Sequence, residues 1–295
     1  MPWLLVLLLC APAVAEKAPL KAPKDWVLKG GLPASPTRLN DSFPLSDQKN
    51  LGRWKRYDTM WDEFSGTELD GKRWHPTNPG WKGRQPGFFS RDNVKVADGE
   101  LRLVARLEEP PEGLGAEGYK TYSTAAVQSV RAVLYGYFEI RAKAMRSAAS
   151  SAFWFYKSDE KRWTEIDVFE LQGALPEPGS GPQWTPQGVT GKYNMNAHVF
   201  RVPNPADDWS VGGIWDMDFD PAEAFHVYGL EWDRKWLKWF VDGVMVRRLA
   251  NNYWTQALTL NFDSETMPGW MGLPRAADLP STFSVDYVRA WKKGR

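Results

Sequence analysis

The segment Trp163-Thr-Glu-Ile-Asp-Val-Phe-Glu-Leu-Gln-Gly173 concentrates the side chains able to do acid–base chemistry. In a β-strand, successive side chains point to opposite faces, so Glu165 and Asp167 share one face while Ile166 and Val168 share the other. Glu170 has the wrong parity. Val168 and Phe169, however, are consecutive apolar residues, and one bulged residue there returns Glu170 to the acidic face and Leu171 to the apolar one. Like charges held that close cannot all ionise at their ordinary pKa, so at least one carboxyl keeps its proton near neutral pH. A protonated carboxyl beside an ionised one is what glycoside hydrolysis needs: one protonates the leaving oxygen while the other attacks or activates water. With the bulge, Glu165 and Glu170 lie about four strand rises apart, roughly 13 Å between Cα atoms. Two Glu side chains leaning together close that to the ~5 to 5.5 Å of a retaining pair. Asp167 between them is placed to hydrogen-bond the nucleophile and tune its charge.

Other uses of an acidic strand fit less well. A solvated sheet face does not explain the bulge parity or the surrounding aromatics, and ligands strung along one strand wrap a calcium ion poorly. The richer stretch Asp216-Met-Asp-Phe-Asp220 starts like an EF-hand loop but has Pro221 where Gly is needed and Val227 where Glu is needed.

The surrounding sequence supplies strands to hold this segment. Asn93-Val-Lys-Val-Ala-Asp-Gly-Glu-Leu-Arg-Leu-Val-Ala-Arg106 alternates apolar and polar residues on either side of Asp98-Gly99, a strong hairpin signal, and Trp236 to Val246 repeats the pattern around Asp242-Gly243. Further strands are expected at 125–130, 135–144, 152–156, 164–171, 194–201, 225–232, 258–262 and 282–291. No segment after the N-terminus reads as a long capped amphipathic helix, so the expected fold is all-β, an antiparallel β-sandwich in one domain. Residues 16–50 carry Pro19, Pro23, Pro33, Pro36 and Pro44 without a sustained period and read as a linker or a strap.

Composition removes several functional classes. The 295 residues include 17 Trp and 10 Tyr but 3 His and 1 Cys, which excludes a zinc-finger array, a disulfide scaffold and a thiolate-rich metal site. A net charge of +1 gives no global field for nucleic acid or an anionic membrane. The lone Cys10 closes the apolar run from Trp3, and Ala13-Val14-Ala15 follows as a small-x-small cleavage pattern, so residues 1–15 read as a signal peptide of a secreted protein, although no Lys or Arg precedes the run. The run is too short to span a bilayer, and no membrane association is expected after its removal.

Glu165-Ile-Asp-Val-Phe-Glu170 resembles the E-x-D-x-x-E signature of glycoside hydrolase family 16. The resemblance extends over roughly residues 52–293, within an expected catalytic domain at 51–295, through Tyr135-Gly-Tyr-Phe-Glu-Ile-Arg-Ala-Lys-Ala, Ala152-Phe-Trp-Phe, Phe225-His-Val-Tyr-Gly-Leu-Glu-Trp, Trp239-Phe-Val-Asp-Gly and Val285-Asp-Tyr-Val-Arg-Ala-Trp. It implies a jelly-roll sandwich with a concave cleft for a β-linked polysaccharide, with Glu165 as nucleophile, Asp167 as its assistant and Glu170 as general acid/base. Ser150-Ser-Ala-Phe-Trp-Phe, Asn196-Ala-His-Val-Phe and Leu279-Pro-Ser-Thr-Phe-Ser-Val-Asp-Tyr are similar to the enzymes of red-algal galactans, the agarases, porphyranases and carrageenases. The alternatives are a laminarinase-like endo-β-1,3-glucanase and a noncatalytic carbohydrate-binding protein on the same fold, and the crowded carboxylates speak against the second.

Sugar rings offer an apolar face and polar edges, so a cleft for them needs flat aromatics with a few polar groups. The resemblance places Trp154 on the floor near the cleaved bond, His198 along the site, and Trp81, Arg84 and Arg91 at outer subsites, where an arginine fork would suit a sulfate ester. Trp163 shares the parity of the acids. The loop between Gly173 and Lys192 is expected beside the cleft. The resemblance further implies a structural calcium with Asp286 as a side-chain ligand, no cofactor for catalysis, a polysaccharide as the partner and a monomeric protein.

Overall fold

The computed structural model describes residues 21–159, 163–185, 188–201 and 208–294. The leader expected at 1–15 lies outside the described residues. One sheet runs in the order β12 (Trp209–Asp216), β11 (Lys192–Phe200), β10 (Trp163–Leu171), β9 (Ser150–Ser158), β16 (Thr259–Glu265), β7 (Tyr122–Ser129) and β3 (Trp74–His75). The opposing sheet runs β1 (Asp25–Val27), β15 (Val244–Ala250), β14 (Trp236–Val241), β13 (His226–Trp232), β8 (Gly136–Lys143) and β17 (Ser281–Lys293). The far side of β17 pairs with β6 (Glu100–Leu107), itself paired with β5 (Val94–Ala97), and with β2 (Trp54–Arg56). All these pairings are antiparallel; the parallel one joins β4 (Gly87–Phe89) to β7. The expected jelly-roll sandwich is the fold observed.

Alternation fixes which side chains meet between the sheets. Phe155 lies against Phe138 with ring centroids 5.0 Å apart, and Phe169 against Tyr228 at 4.7 Å. Asp98-Gly99 and Asp242-Gly243 both turn with positive φ at each residue, the backbone twist that a two-residue hairpin requires.

Strand β12 was not among the expected strands. Gly212 and Gly213 interrupt its side-chain pattern, because added Cβ atoms there would stand 2.8 Å from Asn196 Oδ1 and 2.6 Å from Arg247 Nε. Residues 21–50 lie along the second sheet: β1 pairs with β15, Leu45 is buried, and the fully buried Glu139 carboxylate accepts from Arg38 Nη2 at 2.6 Å and from the Leu45 amide at 2.8 Å.

Candidate active site

Strand β10 carries the acids. Its register slips between Asp167 and Glu170 against β11, and between Asp167 and Phe169 against β9. Val168 and Phe169 consequently both enter the core, while Glu165, Asp167 and Glu170 line one cleft of about 1080 Å³ on the outer face of the sheet. A bulge disturbs the local ladder. Here Trp239 crosses from the opposite sheet, and its Nε1 donates to the Asp167 carbonyl at 2.9 Å.

The neighbouring strands supply the partners. Trp163 Nε1 donates to Glu165 Oε2 at 3.1 Å, and His198 Nε2 stands 3.1 Å from Asp167 Oδ2 and 3.9 Å from Glu165 Oε1. Asn196 Nδ2 donates to Glu170 Oε2 at 3.1 Å. Trp154 sits mid-strand in β9, directly opposite Asp167; it stacks on Tyr156 at 4.9 Å and donates Nε1 to Asp263 Oδ2 at 2.6 Å. Trp81 meets Trp154 edge-on at 6.4 Å. Arg84 forks onto Glu265 through Nε at 2.7 Å and Nη2 at 3.4 Å.

Burial raises the carboxyl pKa values throughout the cleft. Asp167 is pushed up to about 8, chiefly by burial, with the neighbouring Glu265 charge adding to it. Burial, then the charges of Asp167 and Glu265, push Glu170 up to about 8 as well. Glu165 is raised by burial and by Asp167, while His198 and the Trp163 N–H favour its ionised form. Asp263 and Glu265 are raised by burial too, with Arg84 opposing the rise in both. The cluster therefore holds protons at neutral pH, which supplies the mixed protonation state that acid-assisted displacement needs.

Most of the residues expected at the site converge on it: Glu165, Asp167, Glu170, Trp154, Trp163, His198, Trp81 and Arg84 all line the cleft. Arg91 does not. It opens a 3-10 turn (Arg91–Asn93), and buried Asn93 anchors that turn by donating to Ser123 Oγ and the Thr124 carbonyl, which leaves Arg91 exposed away from the cleft. Asp286 occupies a register slip in β17, and its Oδ2 lies 2.9 Å from Arg141 Nη1. The Arg141 guanidinium at that distance already pairs with the carboxylate and, as a positive charge beside it, disfavours a divalent cation there. Among the described residues, the one grouping of three ligand-type side chains is Glu165, Asp167 and His198. All three rise from one sheet face, with His198 hydrogen-bonded to Asp167 at 3.1 Å, which suits contacts among the side chains better than an ion's coordination sphere.

Asp263 and Glu265 were missed. They form a second acid-x-acid pair on one face of β16, the same signal that picked out Glu165 and Asp167. Asn196, Tyr156, Trp184 and Trp270 also line the cleft, the last two from loops.

Known proteins can now be set beside this geometry. The family model described as "Beta-porphyranase A-D, GH16 domain" matches residues 54–293. The chain is 27% identical to β-porphyranase B of Zobellia galactanivorans, covering 81% of this chain and 85% of that protein. It is 29% identical to β-porphyranase B of Phocaeicola plebeius over the same shares. The crystal structure of porphyranase B from Zobellia galactanivorans superposes with a TM-score of 0.70 at 27% identity, covering 81% of this chain and 92% of that one. A β-porphyranase from the human gut bacterium Bacteroides plebeius gives 0.68 at 26%, over 81% and 91%.

Proposed function

The chain belongs to glycoside hydrolase family 16 and is a glycoside hydrolase, and from that premise we propose that it is a secreted retaining endo-hydrolase cleaving β-1,4-galactosidic bonds of a red-algal galactan. The observation that carries the reading is the bulged strand with Glu165, Asp167 and Glu170 on one face of the cleft. Glu170, protonated up to about pH 8, gives its proton to the departing glycosidic oxygen. Glu165 attacks the anomeric carbon and forms a glycosyl ester as the C–O bond to the leaving sugar breaks. Burial and their mutual charge leave Glu165 and Asp167 sharing a proton in the resting site; His198 and the Trp163 N–H favour the ionised form of Glu165 that attacks, and His198 holds Asp167 in place. In the second half, ionised Glu170 takes a proton from water, the water oxygen attacks the same carbon, and Glu165 leaves as carboxylate. Trp154, Trp163, Tyr156 and Trp81 provide apolar platforms for sugar rings.

Porphyran is the first substrate to try, because the matching family model and the relatives above are named β-porphyranases. Arg84, anchored by Glu265 yet half exposed, is the group suited to a sulfate ester. The test is product analysis of purified protein on porphyran, agarose, κ- and ι-carrageenan, furcellaran and laminarin, with Glu165→Gln as control. We expect oligosaccharides from a galactan, fresh reducing ends of β configuration, and a loss of roughly 10³-fold or more in Glu165→Gln. Cleavage of laminarin alone refutes the galactan assignment; undiminished cleavage by the variant refutes the nucleophile.

A further inference from the structure

Directly behind the catalytic strands, on the core side of the sheet, lies a fully buried cation. Arg247 of β15 has no exposed side-chain surface. Its Nε and Nη2 donate to the Asp25 carboxylate at 3.0 and 2.9 Å, its Nη1 to the Met195 carbonyl at 2.7 Å, and its Nη2 also to the Val211 carbonyl at 3.2 Å. The guanidinium lies 4.8 Å from the ring centre of Trp239, the residue whose indole N–H holds the Asp167 carbonyl in the bulge. Room for Arg247 is made by Gly213, where a Cβ would stand 2.6 Å from Nε. The carboxylate partner comes from β1, the short N-terminal strand on the edge of the opposite sheet.

Such an arrangement is poor value as a stability device, since a well-packed apolar pair in the same volume is often as stable or more so. What an apolar pair cannot supply is positive charge beneath Asp167. That residue is faced by Glu165 and Glu170 on its own strand, His198 on β11, Trp154 on β9 and Glu265 on β16, with Trp239 and Arg247 on the core side. Among these, Arg247 is the permanently charged cation, and its charge opposes the upward push that burial gives Asp167.

We propose that Arg247 is a positioning residue of the reaction, bracing the catalytic strand from its core side through Trp239 and the Met195 carbonyl and lending Asp167 a permanent positive charge, and that Asp25 keeps it there. The N-terminal strand is then part of the catalytic apparatus without touching substrate. The inference rests on Asp167 belonging to the catalytic triad proposed above.

The test replaces the ion pair by apolar residues, Asp25→Leu with Arg247→Met, and separately weakens it with Asp25→Asn. Melting temperature, kcat, KM and the pH profile are read on the galactan that the parent cleaves best. The double variant is expected to fold with a melting temperature near the parent's, to lose at least about tenfold in kcat with KM within about twofold, and to show the acid limb of kcat at higher pH, because carboxyls without a nearby cation hold their protons longer. Asp25→Asn, which keeps an acceptor for Arg247 but leaves its charge uncompensated, is expected to lower kcat by less and to move the limb the other way, to lower pH. Parental kcat and acid limb in either folded variant overturn the proposal, and Asp25→Asn decides alone if the double variant does not fold. Glu165→Gln, run alongside, separates the two ideas: its activity reports on the triad, not on Arg247.

Discussion

Asn196→Ala offers a direct measure of how the protein sets the proton on Glu170. The Asn196 amide donates to Glu170 Oε2 at 3.1 Å, a bond that is stronger when the carboxyl is ionised and so draws its pKa down against burial and the charges of Asp167 and Glu265. Hydrogen bonds to charged groups are worth about 1.5–3 kcal/mol, and a pKa unit corresponds to about 1.4 kcal/mol. Deletion therefore raises Glu170 by about one to two units from its value near 8, the lower end applying where water entering the vacated space restores part of the bond. Since Glu170 must be protonated to act as the acid, the alkaline limb of kcat/KM moves to higher pH by that amount, even as the plateau falls. The assay is kcat/KM for a soluble galactan oligosaccharide from pH 5 to 10, with reducing ends as readout. An alkaline limb that stays put or moves down refutes the assignment of that limb to Glu170, because the limb's position does not depend on the amplitude the mutation costs.

Three further perturbations follow from the same geometry. A carboxyl whose folded pKa is raised costs the folded state nothing below its unfolded value and progressively more as pH climbs toward the folded one, so Glu170→Gln is expected to raise the melting temperature at pH 8 by several degrees and to change it little at pH 4, while abolishing activity on unactivated substrate; calorimetry at the two pH values checks this. Trp239→Phe removes the donor to the Asp167 carbonyl and leaves a buried acceptor unpaired, costing about 1–3 kcal/mol, or roughly 2–4 °C in melting temperature per kcal/mol, with a fall in kcat. Trp154→Ala removes a sugar platform worth about 2 kcal/mol of apolar contact, so kcat/KM is expected to drop about thirtyfold, chiefly through KM.

The acidic strand was legible in the sequence because a strand offers only two faces. Val168 and Phe169 side by side, followed by an acid, admit one economical solution, a bulge, and the register slip lies there. The pair Asp263 and Glu265 obeys the same parity, yet the strand was ended at Phe262, because Ser264 and Thr266 are polar residues buried on the core side and erase the apolar alternation. Arg91 and Asp286 are a different case. Each was placed by position along the chain, whereas the outcome is decided by contacts from elsewhere: Asn93 and Ser123 turning Arg91 outward, and Arg141, 145 residues from Asp286 in sequence, taking the carboxylate. Arg247 was not among the residues singled out in the sequence. Strand parity alone requires one of Arg247 and Arg248 to point inward, and Gly212-Gly213 in the missed strand β12 was the trace of the space it needs.

The abundance of tryptophan serves the catalytic strand from behind at least as much as it serves the cleft. An indole combines a large apolar body with a single N–H donor, so it can fill a core while satisfying one backbone carbonyl that a sheet leaves over. Trp239 does this for Asp167 at 2.9 Å. Trp254 does it for two carbonyls at once, Glu165 at 2.9 Å and His198 at 3.1 Å, tying β10 to β11 at the level of the nucleophile. Trp232 in turn donates to the Trp254 carbonyl at 2.9 Å and fixes the clamp to the opposite sheet. All three indoles are fully buried and touch no substrate. A bulged strand bearing three crowded carboxylates has an interrupted ladder, and two of these donors, Trp239 and Trp254, hold its backbone directly while Trp232 fixes the second of them.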